Sequence, residues 1–508
     1  MDKLSLNRAL NFSIIDGALS AVMGSLAGGM FLMGFALKVL KAEVSQIGLL
    51  AALPMFANLI QIFGSYIIEK TGKKKLFCFI CVGLSRLLWI AIIMLPMAIF
   101  SSFSDWRVLV LVIVIAASSL LSSLSGVAWL AWMSDLVPEN VRGTYFGKRN
   151  MIASACGAVV ILAAGKFLTL WGSRFGEDNP YSYIIIFSLG LAVGLLSTWF
   201  LIRIPEAESA IQTPKNSIDF SLFLKPLKNH NFFRLIIYVS CWIFGVQLAA
   251  PFYGVFMISN LKIDFSTITI FGTFAMLATL LMMKIWGPIS DKLGNKPIII
   301  VSGLILATIP LLWIVALPKN YYLPIMIAHL LTGAFMAGAS LSQFNILIKL
   351  SPREGRSAYL ALFAAITGII GGTAPIIGGW LSQIFESFHF MIFAYQVSNL
   401  HMIFLISAVI QVLTLFFILK VSEPQASTPM AVIMQLKNDL NPQTGIASTT
   451  DFFIIEMKKT ENILKKVDQY TEEIAEKSEK QIEKIIKKGE QIAEKPLKKL
   501  KDFLKDDD

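Results

Sequence analysis

The chain has 508 residues, 56% hydrophobic and 15% charged, with a mean hydropathy of +0.68. That balance excludes an ordinary soluble domain. On so apolar a chain a formal charge of +11 reads as basic loops at one membrane face, not as a nucleic-acid footprint.

Runs of roughly 20 apolar residues can cross a bilayer, and twelve follow one another here. Span 1, at 11–37, follows Lys3 and Arg8 directly and carries Asp16, so it reads as a retained first span. Spans 2 to 6 lie at 44–68, 76–99, 108–133, 150–170 and 182–204. A polar segment at 205–231 interrupts the pattern, and spans 7 to 12 follow at 232–258, 265–286, 298–317, 322–348, 358–384 and 400–419. Cys78 and Cys81 form a Cys-x-x-Cys pair in span 3 with no second pair nearby. They read as small helix-packing residues and not as a metal or redox centre. One set of loops carries Lys70, Lys73, Lys74, Lys75, Arg142, Lys148, Arg149, Lys292, Lys296, Lys349, Arg353 and Arg356, while the opposite set has only Lys38, Lys41, Arg107, Arg174, Lys262 and Lys319. This bias places both termini in the cytoplasm.

Three landmarks recur. Gly287-Pro-Ile-Ser-Asp-Lys-Leu-Gly-Asn-Lys-Pro297 matches Ser65-Tyr-Ile-Ile-Glu-Lys-Thr-Gly-Lys-Lys-Lys75 at an offset of 222, pairing Asp291 with Glu69, Lys292 with Lys70 and Gly294 with Gly72. Such a stretch reads as a charged hinge, its glycine allowing a left-handed turn. Leu40-Lys-Ala-Glu-Val-Ser-Gln-Ile47 matches Leu261-Lys-Ile-Asp-Phe-Ser-Thr-Ile268 at an offset of 221, each serine reading as the N-cap of the next span. Pro138, Arg142 and Tyr145 match Pro352, Arg356 and Tyr359 at an offset of 214. Paired landmarks in one order define two homologous six-span halves, 1–204 and 232–420, around the 205–231 loop.

These motifs resemble those of the major facilitator superfamily of secondary transporters, whose signature between spans 2 and 3 is Gly-x-x-x-Asp-Arg/Lys-x-Gly-Arg/Lys-Arg/Lys. Gly287, Asp291, Lys292, Gly294 and Lys296 fit it; the first copy departs, with Ser65 for the leading glycine and Glu69 for the aspartate. The resemblance implies an all-α polytopic membrane protein of twelve helices in two pseudo-symmetric halves that alternate access to a central cavity. It also implies that spans 1, 4, 7 and 10 line that cavity. Glu69, Lys70, Gly72, Gly287, Asp291, Lys292 and Gly294 then belong to gates, with Arg142 and Arg356 as partners for the acids; simple inside-positive anchoring is the plainer reading of the two arginines. Gly368 to Gly379 in span 11 is similar to the Gly-Pro-x-x-Gly-Gly signature that antiporter branches place in span 5, but Ala374 replaces its first glycine and span 5 lacks it.

Ionisable side chains inside spans are candidates for solute or ion contact. Asp16 in span 1 is one, with a cap or a buried pair as the alternative. Arg86 in span 3 is another, read first as a structural pair, with Asp16 as the candidate partner, ahead of an anion site. Span 4 offers Trp129 and Trp132 below a run of serines, which serve equally as cavity wall or interfacial belt. Span 7 offers Gln247 and Tyr253 beside Pro251, and span 10 offers His329, Gln343 and Asn345. His329 titrates near neutrality, although a lone hydrogen-bonded histidine is the plainer reading. Gly143 to Arg149 lacks the P-loop spacing, and no nucleophile or acid–base constellation marks an enzyme; no cofactor or metal is expected.

A polar linker at 421–457, with one short helix near 432–440, precedes a tail at 458–508. Its apolar positions repeat every eleven residues from Ile463, close to the period of a straight helix, so one stripe stays on one face. The stripe suits self-association as a coiled coil or binding to the inner leaflet through flanking lysines, and a solvated charged tail is the plainer reading. The whole reads as secondary active transport of a small organic solute across a prokaryotic cytoplasmic membrane, coupled to protons or another ion. Drug or metabolite efflux by proton antiport and a transporter-like scaffold or sensor acting through its tail are the alternatives.

Overall fold

The apolar runs become helices because a backbone in hydrocarbon must satisfy its polar groups within its own segment. The structure, a computed structural model, describes residues 3–97, 106–138, 142–206, 225–352, 356–387, 390–392 and 395–440. Among the described residues, twelve helical spans are long and apolar enough to cross a membrane: Arg8–Val39, Val44–Ile68, Lys74–Met94, Arg107–Leu136, Tyr145–Phe175, Pro180–Ile202, His230–Asn260, Phe265–Leu293, Lys296–Ile314, Tyr322–Leu350, Tyr359–Ile384 and Asn399–Leu419. A two-stranded antiparallel hairpin, Phe390–Ile392 with Tyr395–Val397, joins the last two and was not foreseen. A short helix, Pro429–Asp439, follows span 12. Most of the inter-half loop, the linker beyond 440 and the whole expected tail lie outside the described residues.

The two sets of six pack alike. Span 1 packs on spans 5 and 6, span 3 on spans 4 and 6, and span 2 on span 4; span 7 packs on spans 11 and 12, span 9 on spans 10 and 12, and span 8 on span 10. Span 2 lies against span 11 and span 5 against span 8, so these two contacts between the halves are equivalent pairs under the repeat. Span 2 and span 11 approach through glycines: a Cβ on Gly48 would stand 2.3 Å from the Pro375 carbonyl oxygen, and one on Gly379 2.8 Å from Ser45 Cα.

The repeat extends to backbone detail. Spans 1 and 7 both end in π-helical turns, Phe35–Val39 and Phe256–Asn260, followed by Lys41 and Lys262 in the left-handed region. The N-caps after these turns are the acids and not the expected serines. Glu43 and Asp264 hold the cap positions, and Asp264 Oδ1 accepts from the Thr267 N–H at 3.1 Å. The charged hinges are also shorter than their sequence suggests. The helix of span 8 runs through Gly287, Pro288 and Asp291 to Leu293, the next starts at Lys296, and only Gly294 has positive φ (+87°). In the first copy Gly72 (φ +67°) closes Gln61–Thr71 and the following helix starts at Lys74. Gly287 is therefore a helix residue, not a turn residue.

Span 1 is broken. Helix Lys3–Ala27 gives way at Gly28, which is extended, and Gly29 at φ +53°, before Gly29–Gly34 resumes. The break interrupts the bonds a continuous helix would close, where polar backbone is tolerated in membranes only beside protein or a cavity.

Candidate functional site

A cavity of about 740 Å³ lies beside that break, within the volume range of sites for small organic ligands. Its wall comes from spans 1 to 6, with Pro251 the only described residue of the second half. Gly24, Ala27, Gly28 and Gly29 of the broken segment form part of it.

At one end the charged side chains converge. Asp16, 4% exposed, accepts from the Ser197 hydroxyl at 2.6 Å, and its other oxygen is 3.7 Å from Nη2 of Arg149. Arg149 donates from Nε to the Ser13 carbonyl at 3.2 Å and lies 4.1 Å over the ring of Trp129. Arg86, 5% exposed, spends its Nη groups on neutral acceptors: the Gly194 carbonyl and Thr198 hydroxyl, and the hydroxyls of Ser20 at 2.8 Å and Ser197 at 3.1 Å. Ser197 thus joins Arg86 to Asp16, so the expected pairing of these two runs through a hydroxyl. Span 3 is not excluded from the cavity, as the family pattern implied; Arg86, Ser85 and Cys78 line it. On span 4, Ser118 and Ser122 meet Ser85 at 2.9 and 2.8 Å, and Ser123 donates to Asn58 at 3.1 Å.

Of the residues singled out from sequence, the structure brings Asp16, Arg86 and Trp129 together at this cavity. Trp132 faces elsewhere: it is 1% exposed and donates to the Pro205 carbonyl at 3.0 Å. Gln247 contacts Met55 Sδ at 3.2 Å, Tyr253 stacks on Trp313 at 4.6 Å, and the His329 Nδ1 lies 2.9 Å from the Ile325 carbonyl, one helical turn away. Gln343 has a buried amide nitrogen, and Asn345 donates to Ser290 at 3.1 Å beside the second hinge. None of these five from spans 7 and 10 is in the cavity wall.

Arg149 escaped the sequence reading. In the sequence it reads as part of a basic loop, with span 5 starting one residue later. The helix actually runs from Arg142 to Phe175, which carries Arg149 into the protein. The signal was Asp16 itself, since a buried carboxylate requires a partner of opposite charge.

The signature face holds a second missed residue, Glu423. Its carboxylate accepts from the N–H groups of Asn295 (3.1 Å) and Lys296 (2.7 Å), the Asn295 amide (3.1 Å) and Lys349 (3.3 Å). Burial pushes this carboxyl up, but the Lys296 N–H, Asn295 and Lys349 outweigh burial and hold it below the ordinary carboxylate value. In the first half Glu206 likewise accepts from the Lys75 N–H at 2.9 Å, and Lys74 pairs with Asp135. The acid over the start of span 9 is thus Glu423, whereas Asp291 is exposed and has no partner among the described residues. The side chains of Glu69, Arg142 and Arg356 lie outside those described; Lys70 and Lys292 are exposed.

At the opposite end, hydrogen bonds tie the halves. Gln383 donates to Glu43 and to Ser45 at 3.0 Å each, while the Thr169 hydroxyl donates to Asp264 at 3.1 Å and accepts from the Ser266 N–H at 3.0 Å. Burial raises the Asp264 carboxyl, but Thr267, Thr169 and the Ser266 N–H together leave it below its ordinary value. Among the described residues, no hydrogen bond joins the halves at the signature face.

A family model, "Major Facilitator Superfamily", matches residues 14–258 and 235–505. The chain is 29% identical over 147 residues to the multi-drug resistance efflux pump PmrA of Streptococcus pneumoniae; that match covers 28% of this chain and 35% of the pump, about a third of its length. Among solved structures, the nucleoside transporter NupG superposes with a TM-score of 0.61 at 14% identity, covering 83% of this chain and 99% of NupG. A D-xylose-proton symporter gives 0.60 at 15% identity, covering 83% and 98%. A bacterial homolog of the human lysosomal transporter Spinster, in an inward-facing and unoccupied conformation, gives 0.59 at 14%, covering 87% and 100%.

Proposed function

Because the chain belongs to the Major Facilitator Superfamily, we propose that it carries a small organic solute across the cytoplasmic membrane by alternating access, with the 740 Å³ cavity as the binding site. The observation that carries this reading is the buried Asp16–Arg149 pair in the wall of that cavity. Intramembrane ionisable groups mark solute and ion pathways. The Gln383 and Thr169 contacts then close the far end, while Asp291 and Glu69 with Arg356 and Arg142 form the gate that closes when the far end opens. The basic loops support a cytoplasmic position for the signature face.

Asp16 is the coupling residue in this reading. When its carboxylate is neutralised by a proton, Arg149 loses its charged partner and is free for the solute. In proteoliposomes loaded with the transported solute, Asp16→Asn should abolish accumulation driven by a pH gradient while leaving solute exchange. Gradient-driven accumulation at the normal level in that variant would remove Asp16 from coupling.

Efflux is the second reading, supported by the similarity to the PmrA pump. Its sign is the direction of flux: cells carrying the chain would accumulate less solute than cells without it.

A further inference from the structure

We propose that the transported solute is an organic anion, one acidic group on an apolar body. This rests on the cavity being the solute site, as argued above.

Charge count is the first argument. Among the described residues of the wall, the charged groups are Arg86, Arg149 and Asp16, two cations against one acid. A guanidinium without a counter-charge is costly in a low-dielectric interior. Arg86 is fixed, its Nη groups consumed by carbonyl and hydroxyl oxygens. Its charge is left unbalanced once Asp16 is given to Arg149. A cationic solute would raise the imbalance, and a neutral one would leave it.

The second argument is unused donors. Arg149 Nη1 has no partner among the described residues, since Nε serves Ser13 and Nη2 faces Asp16. The indole N–H of Trp129, shielded from solvent beneath that guanidinium, has none either. Two residues that touch in the wall of one cavity thus each keep a donor without an acceptor, which suits a carboxylate, phosphate or sulfonate oxygen. Beside the serines of span 4, the wall carries an apolar set, Met23, Leu32, Ile47, Leu50, Trp89 and Ile115, which suits the body of such a molecule.

The test is a matched series with one apolar body and three heads: phenylbutyrate, phenylbutanol and phenylbutylamine, titrated onto the purified full chain in nanodiscs by calorimetry. The acid should bind on the order of tenfold or more tighter than the alcohol and the amine, as a charge-assisted hydrogen bond implies. Arg149→Gln should erase the preference, and Arg149→Lys, which keeps the charge, should retain part of it if the glutamine variant proves unstable. Gly126→Trp tests the cavity separately. Gly126 lines it, and a Cβ there meets nothing within 4 Å, so the indole should block binding of the acid. Equal or better binding of the alcohol or amine, or no saturable binding of the acid, would overturn the anion assignment alone. Acid binding unchanged by Gly126→Trp would overturn the cavity as solute site, and the assignment with it.

Discussion

Two glycines in the same signature have different physical roles. Gly294 sits at φ +87°, and a Cβ would lie 2.9 Å from Ala426 Cα. Gly294→Ala should therefore lower stability by about 1–3 kcal/mol, read as a reduced melting temperature in detergent. Gly287, in the helix with open space around it, should accept alanine with a change within about 1 kcal/mol of neutral. Equal effects at both sites would contradict the assignment of the turn to Gly294. Glu423 acts through charge. Its carboxyl is held below its ordinary value of 4.5, so its stabilisation is complete above that value and is lost as pH falls through the lower, folded-state value. On acidification, the wild-type melting temperature should fall more steeply than that of Glu423→Gln, which starts lower at neutral pH. Parallel curves would exclude Glu423 as the titrating group.

At the level of elements, the sequence located the spans but misjudged their ends. The hinge at 287–297 reads as a loop because it is charged, yet Asp291 and Lys292 belong to the last turn of a helix. A charge at a helix end is solvated without leaving the helix, so polarity marks the membrane boundary and not the helix boundary. The same confusion hid Arg149, which lies inside a helix that starts at Arg142. Contacts between elements set the conformational state. Among the described residues, Gln383 to Glu43 and Ser45, and Thr169 to Asp264, join the halves at the end opposite the signature face. Gln383→Ala with Thr169→Val removes four hydrogen bonds between the halves and, at about 1 kcal/mol for each, should shift the population toward the state open at that end by on the order of a hundredfold or more. Paired spin labels next to Glu43, before span 2, and at the Gln383 end of span 11 would report a longer mean distance. An unchanged distribution would mean that the glycine contacts of Gly48 and Gly379 hold this end by themselves.

For the molecule as a whole, symmetry of fold and asymmetry of chemistry coexist. The helix pairs of the first half recur in the second, and even the π-helical ends repeat. The cavity chemistry does not. At the repeat's own offsets Arg149 falls on Phe363 and Arg86 on Thr308. The second half instead fills the neighbourhood of its candidate residues with aromatic packing, Tyr253 and Phe256 against Trp313 and Phe404. The class, the twelve spans, the repeat and the left-handed glycines at 72 and 294 are legible in the residue order, because apolar run length, turn chemistry and charge spacing are local properties of a chain in a membrane. Which polar side chains meet is settled by packing in three dimensions. Asp16, Arg86, Trp129, Arg149 and Ser197 come from five different spans, and their meeting depends on helix rotation and on the close approach of neighbouring helices, which small residues and packing set through space.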